Sequence, residues 1–173
     1  KNYKKMNFID LESQYKLIKP QVLKSIEDVL EHGKYIMGPE VALLEEKLAN
    51  YVGVKYCISC SSGTDALLMA LMALDIRPGD AVFTTPFTFI ATAEVINLLG
   101  ATPVFVDIDE RTYNISPHLL DSKIKHIIDE NILKPKAIIP VDLFGLPANY
   151  IEIQKISEKY ALPIIEDGAQ SFG

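Results

Sequence analysis

Residues 80–108 read DAVFTTPFTFIATAEVINLLGATPVFVDI, and this stretch decides the fold. DAVFTT is a short apolar, β-branched run that reads as a strand. Pro86 stiffens the turn that follows it. FIATAEVINLLG then reads as a helix stopped by Gly100, and TPVFVDI as a second strand. Apolar strands joined through a helix predict a parallel sheet covered on both faces.

The same alternation extends toward the C-terminus. SPHLLDSKIKHIIDE is a helix with Ser116 as N-cap and Pro117 next to it. PKAIIPVDL is a strand, YIEIQKISEKY an amphipathic helix, and LPIIED a last strand. Upstream, YCISC is a candidate buried strand, and TDALLMALMALD a helix apolar enough to be buried on most sides. Two helices come first. Pro20 is expected to open QVLKSIEDVLEHG, which Gly33 stops. Pro39 opens EVALLEEKLANYVG, whose Val41, Leu44, Leu48 and Val52 share a face and which Gly53 ends. The predicted class is α/β. Residues 7–173 are expected to form one domain, and residues 1–6, KNYKKM, an extension or leader remnant.

The bulk numbers narrow the function. The chain has 173 residues, enough for a real core, with 49% hydrophobic and 23% charged residues. A net charge of −6 argues against a nucleic-acid footprint, which needs clustered Lys and Arg. No apolar run approaches the ~18 residues of a membrane span, and no signal-type segment precedes the first helix, so the expected compartment is the cytoplasm. Cys57 and Cys60 spell C-x-x-C. Positions three apart on a strand point to opposite faces, so the pair reads as two small buried residues rather than a redox or metal site. The three histidines, His32, His118 and His126, form no cluster with metal or triad spacing.

In a parallel sheet, ligands bind outside the carboxyl ends of the strands. SSGTD, TPFTF, DIDERTYN, VDLFG and EDGAQ therefore share one rim. In SSGTDALL, Gly63 and Thr64 open a helix where backbone N–H groups are unpaired and the dipole is positive, which suits a phosphate. A plain N-cap at Ser62 or Thr64 explains the same residues. Phe87 and Phe89 follow the next strand and are either core residues or a surface on which a flat ring can stack. At the last strand tip, Asp167 either caps the next element or pairs with a cation such as a pyridinium nitrogen, with Gln170 within reach of a ring hydroxyl. Glu166 is expected to turn inward or pair structurally. A phosphate cradle, a flat stacking residue and an acidic ring partner are together what pyridoxal 5'-phosphate requires.

Seven segments in register, FIDLESQY, GKYIMGPEV, LEEKLANYVGVKYCISCSSGTDALLMAL, TPFTFIATAE, GATPVFVDID, AIIPVDLFG and IIEDGAQSFG, resemble the DegT/StrS-type sugar aminotransferases. The resemblance runs from Asn7 to Gly173. It implies the large domain of fold type I pyridoxal phosphate enzymes, a mostly parallel sheet with helices on both faces, here without the C-terminal half. By position it assigns Gly63 and Thr64 to the cofactor phosphate, Phe89 to stacking on the ring, Asp167 to the pyridine nitrogen and Gln170 to the ring hydroxyl. HGKYIMGPEV and KYCISCSSGTDAL stand closest to the branch that aminates a UDP-linked 3-oxo uronic acid, with glutamate as donor, for surface polysaccharide sugars. The family implies a homodimer with active sites at the subunit interface, and it makes Lys34 and Tyr35 candidates for substrate or interface contacts. It also implies a Schiff-base lysine lying beyond Gly173, since Lys159 precedes the last strand. Two alternatives stay open: a sugar dehydratase or deoxygenase of the same family, and a non-catalytic binding module.

Overall fold

The computed structural model describes residues 8–172, so the expected leader at residues 1–6 lies outside the described residues. The chain divides into two compact units, one ending at Ser59 and the other beginning at Cys60.

The first unit holds α1 (Leu11–His32) and α2 (Pro39–Val52). Pro20 does not open α1, as the sequence predicts, but sits inside it. The helix starts earlier because Asp10 caps it, its carboxylate accepting from the Ser13 N–H at 3.1 Å and the Ser13 hydroxyl at 2.7 Å. An i,i+4 pair between Glu12 and Lys16 supports the early turns. Proline mid-helix forfeits one hydrogen bond, and the flanking turns carry the helix through it. Gly33, with φ of 66°, closes α1 in the left-handed conformation that a Cβ would disfavour. Pro39 does open α2, and Gly53 ends it.

The expected strand YCISC is absent. Residues 54–60 form no strand, Tyr56 and Ile58 are exposed, and both the N–H and the hydroxyl of Ser59 donate to the Glu45 carboxylate, at 2.8 and 2.7 Å. A backbone donor spent on a helix side chain is not available to a strand ladder. Both cysteines are free thiols, but Cys57 is half-buried and Cys60 exposed, so neither is the small core residue that the strand reading implied.

The second unit runs α3 (Gly63–Ala73), β1 (Asp80–Thr84), α4 (Ala91–Leu98), β2 (Thr102–Phe105), α5 (Pro117–Glu130), β3 (Lys134–Ile139), a 3-10 turn (Leu143–Gly145) and α6 (Tyr150–Tyr160). The three strands are parallel in the order β2-β1-β3. The last predicted strand, LPIIED, is reduced to two isolated parallel bridges, Ile138 with Ile164 and Val141 with Asp167. Those bridges still bring Asp167 alongside the end of β3.

Alternation along the strands sorts side chains onto two faces. Ala81, Phe83, Val104 and Ile138 pack with Leu120 and Ile124 of α5 and Ile153 and Ile156 of α6. Val82, Ala137 and Ile139 pack on the other side with Val95 and Ile96 of α4 and Leu71 of α3. All five residues of β1 are buried, as a central strand of a two-sided sheet requires. Each fully buried aliphatic or aromatic side chain is worth about 1.5–3 kcal/mol. Helix α3 departs from expectation: Leu71 is its one buried residue, while Met69 and Met72 are exposed.

Candidate functional site

The carboxyl-end rule holds in the second unit. A cavity of about 350 Å³ is lined by Gly63, Thr64 and Leu67 of α3, by Thr88, Phe89, Ala91 and Thr92 after β1, by Val141 after β3, and by residues 166–170. It brings together Gly63, Thr64, Phe89, Asp167 and Gln170, five residues drawn from three separate stretches of sequence. Lys34 and Tyr35 are on an exposed turn of the first unit.

The start of α3 lines the cavity. Ser62 is its N-cap, the hydroxyl accepting from the Asp65 N–H at 3.1 Å. The Asp65 carboxylate is bound by the Ser61 and Ser62 hydroxyls, which hold it below its ordinary range. The N–H groups of the first helical turn are the orphan donors of a helix start. A Cβ placed on Gly63 would meet nothing within 4 Å, so the space beside this backbone is open to a ligand.

Phe89 is 71% exposed and flanks the cavity. It is not a core phenylalanine, and neither is Phe87. Phe87 instead meets Tyr113 and Phe144, with ring centroids 5.9 to 6.5 Å apart. The three rings come from the turns after β1, β2 and β3, so the predicted rim is a physical one. Tyr113 and Phe144 both hold a left-handed backbone, with φ of 61° and 56°.

Asp167 also lines the cavity. Its backbone N–H donates to the Pro140 carbonyl at 3.0 Å and its carbonyl accepts from the Asp142 N–H at 3.1 Å, so the tip is laced to the end of β3. Its Oδ2 accepts from the Thr92 hydroxyl at 2.8 Å, and the Thr92 and Thr88 hydroxyls are 3.0 Å apart. Oδ1 accepts a long 3.4 Å bond from the Ala169 N–H, which leaves acceptor capacity on that oxygen. Gln170 accepts from the Phe144 N–H through Oε1 at 2.6 Å, which leaves its amide NH₂ as the donor end.

Glu166 does not turn inward but pairs with Asp142, the other placement the sequence left open. It is exposed at the cavity wall, and its carboxyl is held above the ordinary range by partial burial and by the neighbouring Asp142 charge. Asp142 is a buried carboxylate that sequence reasoning missed. It accepts from the Ala148 N–H, the Tyr150 hydroxyl and the Ser171 hydroxyl, each at 2.8 Å. Burial and this hydrogen bond push the Tyr150 phenol far above its usual range. Thr92 was missed as well. The readable signal for both was a polar side chain inside an apolar run, PVDLFG and FIATAEV. Lys159, by contrast, is a surface residue paired with Asp121 at 2.7 Å. Among the described residues there is no His, Cys, Asp and Glu grouping fit for a metal ion, and no helix long and apolar enough to cross a membrane.

UDP-2-acetamido-2-deoxy-3-oxo-D-glucuronate aminotransferase from Pseudomonas aeruginosa is 53% identical over 97% of this chain and 45% of its own length. A crystal structure of a DegT DnrJ EryC1 StrS aminotransferase from Brucella abortus superposes with a TM-score of 0.93 at 53% identity, over 96% of this chain and 45% of that one. The structure of NtdA from Bacillus subtilis with bound cofactor PMP gives 0.85 at 31% identity, over 100% of this chain and 39% of that one. The chain thus spans less than half the length of these relatives. The profile of the DegT/DnrJ/EryC1/StrS aminotransferases matches residues 16–173. The chain belongs to that family.

Proposed function

We propose that the cavity is the pyridoxal 5'-phosphate site of a nucleotide-sugar aminotransferase. The carrying observation is that the Gly63–Thr64 helix start and the Asp167 carboxylate line one cavity of about 350 Å³, within the usual size of a small-molecule site. The donor set fits the group. Backbone N–H groups at Gly63 and Thr64, at the positive end of α3, would hold the phosphate. The exposed face of Phe89 would lie against the ring. Asp167 would form an ion pair with the ring nitrogen and keep its proton in place. The free amide NH₂ of Gln170 would donate to the ring hydroxyl. When bound, the cofactor supplies a ring that draws negative charge from an adjacent carbon. This chain's share of the chemistry is to orient that ring and hold its nitrogen protonated.

The substrate proposed is a UDP-linked 3-oxo uronic acid, with glutamate as amino donor, as the Pseudomonas aeruginosa relative's name and its 53% identity support. A homodimer, a cytoplasmic setting, a role in surface polysaccharide sugars, and contacts from Lys34 and Tyr35 to substrate or partner belong to the same proposal. The test uses protein expressed from the complete coding frame, with pyridoxal 5'-phosphate, glutamate and the keto sugar. Amino sugar should appear by mass spectrometry in step with 2-oxoglutarate, and Asp167→Asn should lower the rate by about 100-fold or more. A wild-type protein that binds no pyridoxal 5'-phosphate would overturn the reading.

A further inference from the structure

We propose that Thr92, with Thr88 behind it, is a positioning residue that fixes which oxygen of Asp167 faces the ligand. The inference rests on the cofactor reading above and adds a role that the cavity alone does not assign. Thr92 sits in the first turn of α4 and is only 1% exposed. Its hydroxyl does not fold back onto a carbonyl of its own helix, the usual refuge of a helical threonine. It reaches across to the last strand tip and donates to Asp167 Oδ2 at 2.8 Å.

The direction of the chain follows from counting protons. A threonine hydroxyl carries one proton, and an ionised carboxylate can only accept. The Thr92 proton is therefore committed to Asp167. The 3.0 Å contact between the two hydroxyls must then have Thr88 donating to Thr92. A donor feeding a donor polarises the second bond and strengthens it. Thr92 is also β-branched, which restricts its χ1 in a helix to two rotamers, and the bond to Asp167 selects one of them. A short, free carboxylate can present either oxygen by rotating about one bond. This one is pinned through Oδ2, which leaves Oδ1, with its single long bond to Ala169, as the oxygen offered to the cavity.

The test measures dissociation constants on protein from the complete coding frame. The two probes are pyridoxamine 5'-phosphate and its carbocyclic analogue, in which C–H replaces the ring nitrogen. Both carry the phosphate, and one can meet Asp167 as an ion pair. Wild type should favour the nitrogen-bearing probe. Thr92→Val keeps the shape and removes the hydroxyl, and it should shrink that preference about 10-fold. Thr92→Ser should restore most of it, and Thr88→Val should shrink it less. Should Thr92→Val not fold, Thr92→Ala and Thr88→Val carry the same comparison. A Thr92→Val protein that retains the wild-type preference, or that loses both probes equally, overturns the positioning role. A wild type with no preference overturns the Asp167 reading itself, so the two failures are distinct.

Discussion

The backbone N–H of Asp142 donates to the carbonyl of Asp167 at 3.1 Å, so two carboxylates with different duties are fastened at the end of one sheet. Asp167 faces the cavity, whereas Asp142 is 1% exposed and gathers Ala148, Tyr150 and Ser171 around it. Removing a buried acceptor leaves its donors unpaired. Asp142→Ala should therefore cost about 3 kcal/mol in unfolding free energy, and Asp142→Asn, which keeps one acceptor oxygen, about half as much. Urea titration of the three proteins checks the order.

Glu166 gives a pH dependence of opposite sense to an ordinary paired carboxylate. Its folded-state pKa is raised, by partial burial and by the Asp142 charge. Such a group favours the fold while protonated and opposes it once ionised, so its contribution is lost as pH rises through and above the carboxylate range. Because the side chain is exposed, the effect is small. Glu166→Gln should raise stability near neutral pH by about 0.5 kcal/mol and leave it unchanged at low pH. Thermal melts at acid and neutral pH decide it, and a variant less stable at neutral pH contradicts the account.

Much of this was legible in the sequence because the signals were local. Period-two and period-3.6 patterns located β1, β2, β3, α4, α5 and α6, and Ser116 and Ser62 were readable as caps. The rim rule then gathered Gly63, Phe89, Asp167 and Gln170 without any contact information. What failed was decided by partners. YCISC has strand composition, but Ser59 spends its backbone donor on Glu45. LPIIED has the same composition and forms only two bridges. The start of α1 depended on a cap ten residues ahead of Pro20. Thr92 and Asp142 stand out in the sequence only as polar side chains inside apolar runs, and what they do lies in hydrogen bonds across 75 and 29 positions of chain.

Pro20 should be a site of easy stabilisation. It interrupts a 22-residue helix that is otherwise continuous. Interior proline costs about 3 kcal/mol relative to alanine, part of which is offset by the stiffer unfolded chain. Pro20→Ala should raise unfolding free energy by about 1–2 kcal/mol, with more helical signal in circular dichroism. No gain would mean that the proline is needed where it stands.

Gly38 should tolerate no side chain. A Cβ there would lie 2.3 Å from the Lys34 carbonyl oxygen, a backbone atom that cannot step aside. The turn it closes is fixed on its other flank by His32, whose Nε2 meets Glu40 Oε1 at 2.9 Å and whose Nδ1 accepts from the Lys34 N–H at 3.0 Å. Gly38→Ala should cost about 1–3 kcal/mol and speed hydrogen exchange of residues 34–38, whereas Gly33→Ala, with open space around it, should cost only its left-handed strain of about 1 kcal/mol.

The sheet of the second unit is a partition. Ile153 and Ile96 belong to separate apolar compartments, one on each side of it. A hole cut in one compartment cannot be refilled from the other. Truncations at Ile153 and Ile96 should therefore sum within about 0.5 kcal/mol, while Ile153 and Leu120, which share a compartment, should show an interaction energy beyond that. Evolutionary repacking on the cavity's helical side, around α3 and α4, can then proceed without disturbing the layer formed by α5 and α6.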